Sequence, residues 1–488
     1  MGVRNLIIFC VLVFSIDFVD GEGGGIVKVK HIFGSEADRS LKDLSVHDKN
    51  RHGRLLAGVN IPIGGGKYTG TGLYYAKIGI GNPSDDYYVI VDTGSDAFWV
   101  NCIECKQCPT KSNFGIKLKL YNPKASLSAK LITCKPSDKL CEYRVVYGDG
   151  SSTDGYLVSD LVWFDQVSGN LATTSADARI KFGCGLEQTG NLVSSTALDG
   201  LIGFGASSTS MLSQLASSGK VKKKFAHCLD GKYGGGIFII GDVVEPTQKT
   251  TPLIPNTSHY NVIMKSIQVG NTIISNFKAG VGKETIIDSG TTLAYLPGAI
   301  LDPLRQMIFA SQANLSTQLT KDLFECFHFD KSLDDAFPTV TFHFQNSVQL
   351  DVYPHDYFFA FNEYGKYCLG WQDSRRFKFE AVHDLIILGD LVLTNKLVVY
   401  DLENQVLGLS DHNCSSTIEL KDEVSGAVNE VAASHNLSSS PVHHRKDISS
   451  SPARYHLEFG RVVKLFLLCF VLFYYVSFDC TFTIFHVV

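Results

Sequence analysis

Two short segments of this chain are near copies of one another. Val91-Asp92-Thr93-Gly94-Ser95 lies in the N-terminal half and Ile287-Asp288-Ser289-Gly290-Thr291 in the C-terminal half, with their aspartates 196 positions apart. Each follows β-branched residues (Val89, Ile90, Val91; Ile286, Ile287) and leads into an apolar stretch. A buried strand that ends in Asp before a Gly turn aims a carboxylate into a cleft. Two such strands, one from each of two lobes, can bring their carboxylates together. Carboxylates that close cannot both ionise, so the pair shares one proton. The charged member can act as general base on a water between them, while the protonated member polarises a carbonyl and helps protonate a leaving amine. Gly94 and Gly290 allow backbone N–H groups near the carboxylates. The Ser95 and Thr291 hydroxyls can donate to the outer carboxylate oxygens.

The elements that must position this pair are mostly strands. Short extended runs alternate with turn signals through the chain, and helical spacing is best at Ser210–Ser217 and Gly298–Ala313. With 488 residues, two lobes are expected rather than one core, at about 68–252 and 253–414. Lys plus Arg (44) against Asp plus Glu (49) leaves a net charge of −5, which gives no basis for nucleic-acid binding. The fifteen histidines show no metal-ligand spacing, so no metal or organic cofactor is expected.

On these motifs the chain resembles the pepsin-like aspartic protease family, over roughly Tyr68 to Cys414. Further residues match in order. Glu142–Tyr147 alternates toward the turn Gly148–Ser152, and Tyr156–Val158 follows, a β-hairpin pattern. It looks like the family's flap, with Tyr147 and Gly148 over the substrate and Trp99 as the tryptophan supporting that tyrosine. Leu198–Gly203 and Ile386–Asp390 resemble the paired hydrophobic-Gly segments that cross beneath each catalytic loop. The resemblance implies a mainly β, bilobal acid-protease fold with the active-site cleft between two related lobes, and Asp92 and Asp288 as the catalytic pair.

The ends of the chain are of another kind. Arg4 and the apolar run Leu6–Ser15 read as a secretory signal, residues 1–23. Residues 24–67 include the basic stretch His47–Arg54. By the resemblance they form an activation prosegment, the alternative being a flexible basic leader. Of thirteen cysteines, ten lie between Cys102 and Cys414, an even number that suits disulfides in an oxidising compartment. Five fall between Cys102 and Cys141, as in the Cys-rich, nepenthesin-like plant branch of the family. In a secreted chain, bridges rather than zinc account for Cys102, Cys105 and Cys108. The family implies Cys326–Cys368 and Cys228–Cys414; the other pairings stay open. Sequons at Asn256, Asn314, Asn413 and Asn436 fit passage through the secretory pathway.

After Cys414 the strand pattern stops, and residues 415–461 read as a flexible stalk. Ser449 or Ser450, a ten-residue spacer and the apolar tail 462–488 fit a glycolipid-anchor signal. A transmembrane tail is the competing reading, opposed by Asp479 within it and by the lack of a basic stop beyond it. The expectation is therefore a glycolipid-anchored aspartic endopeptidase at the plasma membrane, made as a zymogen and acting as a monomer on protein or peptide substrates at acidic pH. The alternative is a catalytically weak or inactive relative that serves as a binding or inhibitor protein at the cell surface.

Overall fold

Val89 and Val91, and likewise Ile286 and Ile287, are buried, which is why both strands read as apolar before their aspartates. The structure is a computed structural model. It describes residues 58–65 and 73–437, apart from 113, 137, 195, 246–247, 275–281, 322, 361–364, 378–379, 381–382, 423–424 and 436.

The repeat seen in the motifs is a repeat of strand pairing. In the N-terminal lobe Asp85–Asp92 runs antiparallel to Tyr74–Ile80 and parallel to Gly200–Gly203, with Asp92 opposite Gly203. Gly200–Gly203 in turn pairs antiparallel with Trp99–Asn101. In the C-terminal lobe Lys283–Ile287 runs antiparallel to Asn261–Val269 and parallel to Ile386–Leu388, with Ile287 opposite Leu388. Ile386–Leu388 pairs antiparallel with Ala294–Leu296. Each aspartate thus leaves a central strand whose parallel neighbour is a hydrophobic-Gly segment.

A third layer underlies both lobes. Gly236–Ile240, Lys224–Leu229, Lys396–Asp401, Val406–Asp411 and Thr250–Pro252 pair in that order, so strands from both halves share one sheet. Its upper face is aromatic: Phe225 stacks on Tyr400 at 4.2 Å, and Phe204 lies 4.5 Å from Phe238. The two expected helices form as Met211–Ser217 and Gly298–Ala310. The second buries Ile300, Leu301, Leu304 and Ile308, one face at helical spacing.

The expected boundaries meet folded structure at two places. Residues 58–65 fall within the expected prosegment 24–67. Val59–Asn60 instead pairs with both Ser152–Gly169 and Gly236–Ile240, and Ile63–Gly65 pairs with Tyr74–Ile80. Val59, Ile61 and Ile63 are buried, so this stretch belongs to the folded body. The expected stalk 415–461 is also folded over its first part. Thr417–Lys421 pairs with Val428–Ala432 and with Asp242–Val243, and Ile418, Leu420 and Val431 are buried. A Ser-rich, charged composition hid a short alternation whose apolar residues need a partner surface far away in the chain. The signal segment, the anchor region with Ser449 and Ser450, the tail, and Asn436 lie outside the described residues.

Five disulfides form among the described residues. Cys228–Cys414 and Cys326–Cys368 are the two implied by the family. Cys102–Cys184, Cys105–Cys108 and Cys134–Cys141 are pairings that the sequence left open. Asn256, Asn314 and Asn413 are exposed.

Candidate active site

The two catalytic loops face each other across the lobes with their hydrogen bonds in register. Gly94 N–H donates to Asp92 Oδ1 at 2.8 Å, and Gly290 N–H donates to Asp288 Oδ1 at 2.8 Å. The Ser95 hydroxyl donates to Asp92 Oδ2, and Thr291 Oγ1 donates to Asp288 Oδ2 at 2.6 Å. The glycines do more than admit N–H groups. A Cβ on Gly94 would stand 2.4 Å from the Asp288 carboxyl, and one on Gly290 would stand 2.1 Å from Asp92 Oδ1. Each glycine therefore makes room for the opposite aspartate.

The loops are also clasped from below. Ser289 N–H donates to Thr93 Oγ1 at 2.9 Å, Thr93 N–H reaches Ser289 Oγ at 3.3 Å, and Ser289 Oγ donates to Val91 O at 3.2 Å. Thr93 and Ser289 stood in the motifs without an assigned part. The signal was there: a hydroxyl residue between Asp and Gly in both copies.

The electrostatics follow from this closeness. Burial first, and then the Asp288 charge, push the Asp92 carboxyl up to about 7, against the hydrogen bonds from Ser95 and Gly94 that lower it. The crowding of the two carboxyls favours one proton on the pair. A third carboxyl, Asp390, is fully buried close by, and neither of its oxygens has a hydrogen-bond partner among the described residues. Burial and the two catalytic carboxyls push it well up, so it is held neutral. It ends the Ile386–Asp390 motif, where sequence reasoning noted it without assigning it a role.

Above the pair lies the hairpin. Glu142–Val146 pairs with the start of Ser152–Gly169, Ser152 opposite Val146, and Tyr147 stands at the turn, where its N–H bonds Ser151 O at 2.9 Å. Trp99 Nε1 donates to the Tyr147 hydroxyl at 2.7 Å. Burial pushes the Tyr147 phenol up, so it remains a neutral hydroxyl. Gly148 faces the Phe377 ring of the C-terminal lobe, and Phe377 lies 4.3 Å from Tyr295. Phe377 and Tyr295 were not foreseen as part of the site.

Beneath the hairpin runs a cleft of about 860 Å³ that contains Asp92, Asp288 and Tyr147, with apolar walls at Ile90, Leu201 and Ile387. Among the described residues no cluster of His, Cys, Asp or Glu could hold a metal ion. The arrangement can place a water between a charged and a neutral carboxyl and hold an extended chain under the hairpin.

Two lobes that each deliver an Asp-hydroxyl-Gly loop to a shared cleft under a tyrosine-tipped hairpin define a pepsin-like aspartic protease architecture. Comparison with known proteins agrees. Residues 74–242 match the xylanase inhibitor N-terminal domain model, and residues 259–411 match the xylanase inhibitor C-terminal model. Aspartic proteinase 36 of Arabidopsis thaliana is 44% identical over 451 residues, covering 88% of this chain and 92% of that protein. Aspartic proteinase 39 of the same plant is 43% identical over 457 residues, covering 90% and 95%. Aspartic proteinase nepenthesin-1 of Nepenthes gracilis is 29% identical over 398 residues, covering 75% and 84%. The chain belongs to the pepsin-like aspartic protease family.

Proposed function

We propose that this protein is an active aspartic endopeptidase that hydrolyses peptide bonds at acidic pH. The observation that carries the reading is the reciprocal fit at the centre, where each loop glycine abuts the opposite aspartate and brings the two carboxyls together. One carboxylate takes a proton from a water held between the pair, and the water attacks the scissile carbonyl. The protonated partner donates to the carbonyl oxygen, and the proton later passes to the leaving nitrogen. Substrate lies extended, with apolar side chains against the cleft walls and backbone groups meeting the hairpin.

The Cys-rich stretch between Cys102 and Cys141 supports placement near the nepenthesin-like branch. The apolar N-terminus, the sequons and the disulfides support synthesis through the secretory pathway as a zymogen. The C-terminal segment supports glycolipid anchoring at the outer face of the plasma membrane, with the enzyme acting as a monomer. The second reading is a binding protein without activity, favoured by the inhibitor description of the matched domain models. Against it stand two intact Asp-hydroxyl-Gly loops.

The deciding experiment is cleavage profiling of the acid-activated ectodomain across pH, with and without pepstatin. Pepstatin-sensitive cleavage of extended peptides is expected. A well-folded ectodomain that cleaves nothing at any acidic pH would leave the binding role in its place.

A further inference from the structure

The hairpin over the cleft has a second inward tyrosine that the mechanism above does not use. Along Glu142–Val146 the residues Glu142, Arg144 and Val146 are exposed, while Tyr143 and Val145 are half-buried on the inner face, followed by Tyr147. Val145 and Tyr147 line the cleft. Tyr143 lies at the hairpin's base, opposite Gly155, and its ring reaches beyond that strand to the next, Ala172–Gln188. A Cβ on Gly183 would stand 2.4 Å from Tyr143 Cζ. One on Gly155 would meet Cys184 O at 2.0 Å and Tyr143 Cε1 at 3.0 Å. One on Gly185 would meet Gln188 Nε2 at 2.4 Å and the Tyr143 hydroxyl oxygen at 3.3 Å. That hydroxyl lies 3.0 Å from Thr153 Oγ1, which accepts from Gln188 Nε2 at 2.9 Å. The ring is thus seated in a socket with glycines as its floor and Thr153 and Gln188 at its rim.

Glycine weakens a strand interior and often marks the close approach of another group. Here strand stability is given up for a large ring seated low on the sheet. The socket adjoins the residues that hold the hairpin's tip. Trp99 is opposite Gly183 in a parallel pair, so the indole and the socket share one face of the sheet. Trp99 Nε1 in turn donates to the Tyr147 hydroxyl. The strand register shifts between Asp154 and Gly155, a bulge that bends the hairpin's second strand beside the socket. Tyr143 precedes Tyr147 by four positions, which is about 13 Å of strand. A change in how the ring seats is carried along that strand to the tip.

We propose that Tyr143 is a positioning residue for the reaction: seated in the glycine socket, it sets the pitch of the hairpin and so the placement of Tyr147 over the substrate. The proposal rests on the protease reading of the site. Tyr143 is not among the described residues that line the cleft, so its effect passes through the hairpin's tip.

The test uses acid-activated enzyme made from the full-length chain, below the melting temperature of every variant. It compares Tyr143→Leu, Tyr143→Phe, Gly183→Ala, Tyr147→Ala and the Tyr143→Leu/Tyr147→Ala double variant. The readouts are kcat, KM and amide hydrogen exchange over Tyr147–Ser151. Tyr143→Leu empties the socket, and Gly183→Ala lifts the ring out of it. Each should lower kcat about tenfold, as small misplacements near a reacting centre do, with a smaller change in KM and faster exchange at the tip. Tyr143→Phe keeps the ring and should retain most of kcat. Added to Tyr147→Ala, Tyr143→Leu should lower kcat no further, because the residue it positions is gone. Should Tyr143→Leu not fold, Tyr143→Met, which fills irregular space more readily, takes its place. Unchanged kcat and exchange in the non-aromatic variant would overturn the proposal. So would a loss in Tyr143→Phe as large as in Tyr143→Leu, or a full further loss in the double variant. Wild-type enzyme without activity would remove the protease reading, while the exchange comparison would still test the socket.

Discussion

Asp92 and Asp288 are useful as a pair, and their closeness has a thermodynamic consequence. Asp92→Asn and Asp288→Asn should each reduce kcat by about 10⁴-fold or more, and the double variant should be hardly worse, since residues acting as a unit are not additive. Peptide hydrolysis by the secreted, folded variants measures this. The raised pKa of Asp92 sets the sign of the stability effect. A carboxyl whose folded pKa lies near 7 against an ordinary value of 3.8 holds its proton better when folded. Its contribution is complete below pH 3.8 and is lost as pH rises through about 7. Asp92→Asn should therefore melt higher than wild type at pH 7.5, with the gap closing by pH 4. His227 has the opposite sign. Burial pushes its imidazole down to about 3, so its contribution is present above the ordinary imidazole range and is lost as pH falls toward 3.

At the scale of elements, the hairpin and the C-terminal strands do different work. Tyr147 sits at a half-buried turn where its hydroxyl accepts a hydrogen bond from Trp99 Nε1–H and its ring lines the cleft. Tyr147→Ala should lower kcat about 10- to 100-fold through looser substrate ordering and water exclusion. The melting temperature should change little, because water can replace the lost partner of Trp99. A steep fall in melting temperature with normal turnover would mark Tyr147 as a core residue instead. The strands Thr417–Lys421 and Val428–Ala432 act as a strap. Leu420 packs over Gly58, where a Cβ would meet it at 1.8 Å, and Ser434 Oγ bonds both N–H and C=O of Ile63, at 2.8 and 2.7 Å. The C-terminal segment thereby pins the first strands of the folded body. Leu420→Ala should cost about 2–5 kcal/mol, read by chemical denaturation, while kcat of the folded fraction stays unchanged.

At the scale of the whole molecule, one sheet holds strands from both lobes beneath the cleft, and Cys228–Cys414 closes it across 186 positions. That bridge and the strap join the base of the folded body to the chain that leads to the proposed anchor. Treating cells with a phosphatidylinositol-specific phospholipase should release active enzyme whose peptides lack Cys469 and Cys480. Enzyme that stays on the membrane and still yields peptides beyond Leu465 would show that the tail spans the bilayer.

What the sequence determined by itself is local in origin. A strand running into Asp-hydroxyl-Gly, an alternating run ending at Tyr147 and Gly148, and an even set of cysteines between Cys102 and Cys414 are written in the sequence itself. Their periodicity and turn chemistry name the element and its likeness to a family. What tertiary structure decided depends on residues brought together from far apart. Gly94 is an ordinary turn residue until Asp288 stands against the place its Cβ would take. Ile418 and Leu420 look like stalk until Gly58 and Asp242–Val243 supply the surface that buries them. Cys102 has several possible partners until parallel pairing of Trp99–Asn101 with the strand carrying Cys184 selects one. His227 is one histidine among fifteen until the neighbouring strand sets the Tyr400 hydroxyl 3.1 Å from its ring. In each case the deciding free energy is burial or hydrogen bonding between distant segments, which a local pattern does not encode.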